Sequence, residues 1–93
     1  MIKSFRSKIA EAIFSREIPK GFPAMLVKTA RRKLEAVNAA VVLQDLRSPP
    51  GNNLHALKNE REGQHAIRIN DQYRVCFVWT AEGPRDVEIV DYH

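Results

Sequence analysis

The stretch from Leu54 to Trp79 constrains the fold more than any other part of the chain. Within it, Gln64–Ile69 and Tyr73–Thr80 alternate apolar and polar side chains, as strands with one buried face do. Asn70-Asp71 lies between them, and both residue types tolerate the backbone conformations of a tight turn. The sequence therefore predicts an antiparallel hairpin at the centre of the fold.

The second of these strands has two faces of different character. One face carries Tyr73, Val75, Phe77 and Trp79, and the other carries Arg74, Cys76 and Val78. A guanidinium whose neighbours on the same face are Cys and Val is costly to bury unless that face opens on something polar or anionic. Arg74 is therefore the first indication of a site.

The segments before the hairpin predict one short strand and two helices. Met1–Phe5 is extended in pattern, and Ser7 is a candidate N-cap for a first helix. Pro23 suits the first turn of a second helix, whose apolar stripe is Leu26, Ala30, Leu34 and Val37.

A breaker-rich loop over residues 47–53 separates the helices from the remaining strands, which are predicted at Leu54–Leu57 and Val87–Val90 on either side of the hairpin. The expected fold class is thus α+β. It has an N-terminal strand, two helices and a three- to four-stranded antiparallel sheet, with the helices packed on one sheet face.

Size and composition indicate one folded domain over residues 1–93. Of these residues 44% are hydrophobic and 28% charged, which is ordinary for a soluble protein. The single cysteine, Cys76, fits a reducing compartment. Apolar runs fall short of the roughly 18 residues of a membrane span, and the N-terminus has no signal-peptide pattern. We therefore expect a cytoplasmic protein with no membrane contact.

The net charge of +4 is unevenly distributed along the chain. Residues 1–50 hold ten Lys or Arg and four Asp or Glu, whereas residues 51–93 hold five and seven. A basic half favours an anionic partner, nucleic acid first, although ordinary solubility charge explains it equally well. Four cations of the second helix are predicted to face solvent and to contact such a partner: Lys28, Arg31, Arg32 and Lys33.

The candidate chemistry does not point to a metal or a cofactor. Three histidines and one cysteine form no close ligand pair, and no glycine-rich phosphate loop is present. The remaining polar set is His55, Arg74, Asp91, Tyr92 and His93, with Lys58 and Gln64 nearby. Each has an ordinary structural explanation when taken singly. Spacing alone therefore leaves two alternatives, a joint site and separate structural roles.

Three segments together resemble the HigB toxins, which belong to the RelE-like group of bacterial toxin–antitoxin systems. They are the opening MIKSF, the segment LHALKNEREGQHAIRINDQYRVCF and the closing VEIVDYH. The resemblance implies a small RelE-like fold and a ribosome-dependent endoribonuclease that cuts messenger RNA in the ribosomal A site. It also implies a HigA-like helix-turn-helix antitoxin, through which the toxin associates indirectly with operator DNA.

The resemblance also assigns roles to residues. His55 matches the histidine of the L-H-x-L-K motif, Arg74 the phosphate-binding arginine, and Asp91, Tyr92 and His93 the terminal D-Y-H of the active site. One departure concerns the turn before Tyr73, where the family often has a second basic residue and this chain reads Asn70-Asp71-Gln72. Arg68 lies nearby and is grouped with Lys58 as an RNA contact.

These residue types suit RNA cleavage without a metal. Attack of a 2′-hydroxyl on the adjacent phosphate needs a base, an acid and a cation, and histidine can serve in both proton roles near neutral pH. Two alternatives remain at this stage. One is a non-catalytic basic module that binds RNA or protein, and the other is an inactive toxin homologue held by its antitoxin.

Overall fold

The computed structural model describes residues 1–92 and contains two helices and a four-stranded sheet. Helix α1 spans Lys8–Phe14 and helix α2 spans Val27–Ala39. The strands are β1 (His55–Ala56), β2 (His65–Arg68), β3 (Tyr73–Thr80) and β4 (Gly83–Asp91). All neighbouring strands are antiparallel, and their order in the sheet is the order in the sequence. The predicted α+β class is confirmed.

Both predicted helices form where their sequence signals lie. The Ser7 hydroxyl accepts a hydrogen bond from the Ala10 amide at 3.0 Å and caps α1. A single 3₁₀ turn, Ala24–Leu26, follows Pro23 and leads into α2. In the part of the chain that the structure describes, neither helix has the length and apolarity needed to cross a membrane.

The main core lies between the helices and one face of the sheet. It joins Ala30, Leu34 and Val37 of α2 to Val75 and Phe77 of β3. On the opposite sheet face, a smaller cluster contains Leu57, Ala66 and Cys76, with Val90 packed against it. The two predicted faces of the central strand are therefore confirmed, and the helices cover only one of them.

The N-terminal strand is shorter than the five residues predicted. Phe5 forms one isolated parallel bridge with Val87 of β4. The Lys3 amide also donates to the Pro84 carbonyl at 2.8 Å, and the Val87 amide donates to the Ser4 carbonyl at 3.0 Å. The segment thus runs along the outer edge of β4 and covers it, which reduces the exposure of an unpaired strand edge.

The turn between β2 and β3 is closed by its own asparagine. The Asn70 side-chain oxygen accepts from the amides of Gln72 at 3.0 Å and Tyr73 at 2.7 Å. This is the local side-chain bonding that makes asparagine a turn former, and it confirms the predicted hairpin position. The turn brings Gln72 and Tyr73 beside the end of β4.

Gly83 provides a test of how the N-terminal segment docks on the sheet. It has a φ of +127°, and a Cβ at this position would come within 2.6 Å of the Met1 carbonyl oxygen. We expect Gly83→Ala to cost about 1–3 kcal/mol, or roughly 5–20 °C in the melting temperature, because both the backbone and the contact become strained.

The matched control is Gly51→Ala, where a Cβ meets nothing within 4 Å. Thermal unfolding followed by circular dichroism should show a large loss for Gly83→Ala and little change for Gly51→Ala. Equal melting temperatures for the two variants would contradict the docked position of Met1.

Candidate active site

The sheet face that the helices leave uncovered carries several of the predicted site residues. Strand register places His55, Ala66, Cys76 and Glu88 in one row across the four strands, and Arg68, Arg74 and Val90 in the next row. Directly paired residues of antiparallel strands point to the same side, so these side chains share one surface. We call this surface the open face.

Arg74 is fixed on the open face by the turn that precedes its strand. Its Nη1 donates to the carbonyl oxygens of Asn70 and, at 3.1 Å, of Tyr73. Its guanidinium carbon lies 5.5 Å from the centroid of the Tyr92 ring, which is cation–π range. The side chain is half-buried. The structure therefore holds one edge of the guanidinium in place and brings Tyr92 against it.

Pairing with β3 holds the end of β4 beside the turn. Asp91 lies opposite Tyr73, and the Tyr92 amide donates to the Gln72 carbonyl at 2.6 Å. The Asp91 carboxylate accepts from the Gln72 side-chain amide at 3.1 Å. Of the predicted D-Y-H set, Tyr92 thus meets Arg74 while Asp91 binds the turn. His93 lies outside the described residues.

His55 lies on the open face at its β1 edge. Its Nδ1 is 2.8 Å from the Asn53 carbonyl oxygen. A carbonyl oxygen only accepts, so Nδ1 carries the proton in this contact and, in the neutral ring, Nε2 has the free lone pair. This is the nitrogen that a general base would use.

His55 and Arg74 lie on the same surface, but their backbones are well separated. They lie two strands apart and two residues along, which corresponds to about 12 Å between their Cα atoms. Both side chains are long enough to reach toward a group bound between them. The structure thus places His55 on one side of the open face and the pair of Arg74 and Tyr92 on the other.

The four cations predicted on the exposed side of α2 do not behave alike. Lys28 and Arg32 are exposed, while Arg31 is half-buried and donates to the Ile13 carbonyl at 3.0 Å. Together with Arg16, Ile18 and Glu35 they line a groove of about 640 Å³ against Ala24 and Val27. The prediction of a solvent-facing cation holds for Lys28 and Arg32.

For Lys33 that prediction was wrong. Lys33 is buried, at 9% exposure, and its ammonium donates to the Asn52 side chain. The helix pattern did not reveal this because the 3₁₀ turns at Leu43–Arg47 and Pro50–Asn52 fold back over this flank of α2. Loss of hydration lowers the pKa of Lys33, and repulsion from Arg32 and Arg68 lowers it further.

The other two predicted RNA contacts lie nearer the open face. Lys58 is exposed, directly after the β1 segment. Arg68 occupies the same row as Arg74 and pairs with the Asp71 carboxylate in the turn. Arg68 therefore places a second cation beside Arg74, although its charge is partly balanced by Asp71.

Sequence reasoning missed Arg61. From the connection between β1 and β2 its Nη1 donates to the side-chain oxygens of Gln64 and of Glu88 on β4, both at 3.1 Å. The Glu88 carboxylate, only 13% exposed, also lies 3.9 Å from Arg6 Nε. Arg61 consequently extends over the open face. Its sequence signal was weak because its partner Glu88 is 27 positions away.

Cys76 packs in the small cluster beneath the open face and does not act as a nucleophile. It is fully buried, and loss of hydration raises its pKa to about 11, an effect that Arg61 partly opposes. The thiol is therefore protonated near neutral pH. Within residues 1–92, no group of three or more His, Cys, Asp or Glu side chains is arranged to hold a metal ion.

The Cys76 environment predicts poor reactivity toward alkylating reagents. With a pKa of about 11 and no exposure, we expect iodoacetamide to modify the native protein at pH 8 at least ~100-fold more slowly than an ordinary thiol. The same protein in guanidinium chloride should take up one equivalent at the ordinary rate, which mass spectrometry would measure. Rapid alkylation of the native form would mean that the small cluster under the open face is not closed.

Comparison with known proteins identifies the kind of protein that has this fold and this open face. The family model described as "RelE-like toxin of type II toxin-antitoxin system HigB" matches residues 3–93. The chain therefore belongs to the HigB-like family of RelE-like toxins.

Relatives with curated names agree with this assignment. "Endoribonuclease HigB" of Proteus vulgaris is 30% identical over 93 residues, which cover 100% of both chains. "Toxin HigB-1" of Vibrio cholerae is 42% identical over 57 residues, 61% of this chain and 60% of that protein. An uncharacterized protein of Haemophilus influenzae is 40% identical over 55 residues, 59% of this chain and 54% of the relative. The matches to the last two thus span somewhat more than half the length of those relatives.

Proposed function

We propose that this protein is the toxin of a type II toxin–antitoxin pair and acts as an endoribonuclease on messenger RNA bound at the ribosome. The observation that carries the proposal is the Arg74–Tyr92 pair, held 5.5 Å apart at one side of an uncovered sheet face. A guanidinium can grip two phosphate oxygens, and an exposed tyrosine ring can stack on an unpaired base. The full-length relative named an endoribonuclease supports the same activity.

The proposed reaction is transfer within the RNA chain. The 2′-oxygen bonds to the adjacent phosphorus as its proton passes to His55 Nε2, and the bond from phosphorus to the 5′-oxygen breaks. The leaving 5′-oxygen takes a proton from His93, which we assign as the acid. The products are a cyclic phosphate and a free 5′-hydroxyl. Each positioned proton-transfer group of this kind contributes about 10²–10⁴ in rate.

In this proposal Arg74 acts on the phosphate, Tyr92 acts on the bound nucleotide, and Asp91 at the end of β4 supports them. Negative charge on the nonbridging phosphate oxygens increases in the transition state, and the free edge of the Arg74 guanidinium is positioned to stabilise it. Tyr92 offers its ring to a base. Asp91 keeps the Gln72 turn against the strand end, so we assign it the role of holding Tyr92 in place.

Substitution of Arg74 tests whether the open face is catalytic. We expect Arg74→Ala to lower messenger RNA cleavage in a translating extract by roughly 10²–10³-fold, because a preorganised charge on the transition state is lost. Arg74→Lys should recover little, since a point charge cannot replace the fork. Primer extension on the extracted RNA would measure both.

The matched control is Arg85→Ala, which removes an exposed cation from the other end of β4. It should cleave normally, and circular dichroism should show all three variants folded. Undiminished cleavage by folded Arg74→Ala would contradict the assignment of Arg74 to catalysis, whereas absence of cleavage by the wild-type protein would favour the rival function, a basic module that binds RNA or protein without cutting.

We further propose the partners of the toxin. Type II systems pair a toxin with an antitoxin, and we propose a HigA-like helix-turn-helix protein, through which the complex associates with operator DNA. The ribosome and messenger RNA are the proposed targets, and the cytoplasm is the proposed compartment. The exposed cations Lys28 and Arg32 beside the groove on α2 support contact with ribosomal RNA.

Charge reversal on this surface tests the ribosome contact. We expect Lys28→Glu with Arg32→Glu to weaken co-sedimentation with ribosomes and to reduce the slope of log affinity against log salt by about 1.5, because two phosphate contacts are lost. Lys3→Glu with Lys20→Glu changes the net charge equally at exposed positions that do not line the groove and is the control. Equal effects of the two pairs would assign the result to net charge instead.

A further inference from the structure

Asn52 is a fully buried polar residue whose side chain has a partner for each of its atoms. Its oxygen accepts from the Lys33 ammonium. Its amide nitrogen donates to the carbonyls of Leu46 and Ser48, both at 3.1 Å. The side chain thereby ties α2 to the two 3₁₀ turns that precede β1.

Burying the Lys33 ammonium to make the contact with Asn52 costs free energy. Burial of the ammonium and repulsion from Arg32 and Arg68 both lower the pKa of Lys33. Apolar residues of the same volume would often stabilise such a position better. A satisfied buried polar network, by contrast, fixes one arrangement of the backbone around it. The residues that follow Asn52 in the chain, Asn53 and His55, show which part of the site depends on this backbone arrangement.

Asn53 directly follows Asn52 and holds His55. Its backbone is left-handed, with φ 48° and ψ 51°, and its amide donates to the Pro50 carbonyl at 3.1 Å. Its own carbonyl accepts from His55 Nδ1 at 2.8 Å. The direction of this carbonyl therefore depends on the loop that Asn52 pins, and the carbonyl in turn selects the ring nitrogen that bears the proton.

We propose that Lys33 and Asn52 are positioning residues that hold the Asn53 carbonyl in place and thereby keep His55 in the tautomer with its proton on Nδ1. Neither residue touches the substrate. Their effect reaches the open face through two steps, from the Asn52 side chain to the loop backbone and from the Asn53 carbonyl to the imidazole. The consequence for RNA cleavage rests on the proposed function of His55 as base, whereas the consequence for the tautomer does not.

The test measures the tautomer of the His55 ring directly. Long-range ¹H–¹⁵N correlation spectra above the histidine titration range distinguish the two neutral tautomers, and loss of a signal in His55→Gln assigns it. In the wild-type protein we expect the proton on Nδ1. In Asn52→Ala and Lys33→Met, the Nε2–H form, which free histidine prefers, should become the major or an equal form.

Cleavage gives the second readout. Both variants should lose about tenfold or more in kcat with little change in KM, because the base is misdirected while the phosphate contacts are kept. Gln44→Ala, an exposed substitution in the same loop, is the matched control and should alter neither readout. If Asn52→Ala fails to fold, Lys33→Met decides the question, because it removes the ammonium and keeps the length of the side chain.

The outcomes separate the two proposals. A folded Lys33→Met protein with wild-type His55 signals would overturn the positioning role. A shifted tautomer in a protein that never cleaves RNA would leave the positioning role intact and overturn the proposed function. A fall in kcat with an unchanged tautomer would also overturn the positioning role, because the loss would then have another cause.

Discussion

The pairing of β3 with β4 is the constraint on which both surfaces of the sheet depend. It runs from Tyr73 opposite Asp91 to Thr80 opposite Gly83, with one irregularity between Cys76 and Val78. A shift of one residue would exchange the faces of β3, taking Arg74 into the helix-covered core and Val75 onto the open face. The apolar contacts that fix this register therefore also fix Arg74 on the open face and Tyr92 beside it.

Local sequence pattern was sufficient for the central hairpin and for the face that carries Arg74, although β4 spans Gly83–Asp91 and is longer than the predicted Val87–Val90. Strand alternation has a period of two, so the hairpin and the opposed faces of Val75 and Arg74 could be read directly, and the structure confirms them. The N-cap at Ser7 was equally local. The HigB-like family predicted from the motifs is also confirmed, because the family model covers nearly the whole chain.

Contacts between distant segments could not be predicted in this way. Lys33 was expected to face solvent because helix periodicity describes one helix, whereas its burial depends on a loop 19 positions away. The Arg61–Glu88 ion pair needs the register of three strands before its partners meet. The His55–Asn53 bond depends on a left-handed residue that no strand pattern specifies.

The separation of His55 from Arg74 explains why the surface between them matters. Ala66 and Cys76 occupy the middle of the row that begins at His55, and their small side chains keep the floor of the open face low. Cys76 is nevertheless fully buried beneath this surface. Arg61 bonds to Glu88, which is paired with Cys76 at the end of the same row. On the proposed path from the His55 imidazole to the Arg74 guanidinium, an RNA strand would also come near Arg61, a cation whose charge is partly balanced by Glu88.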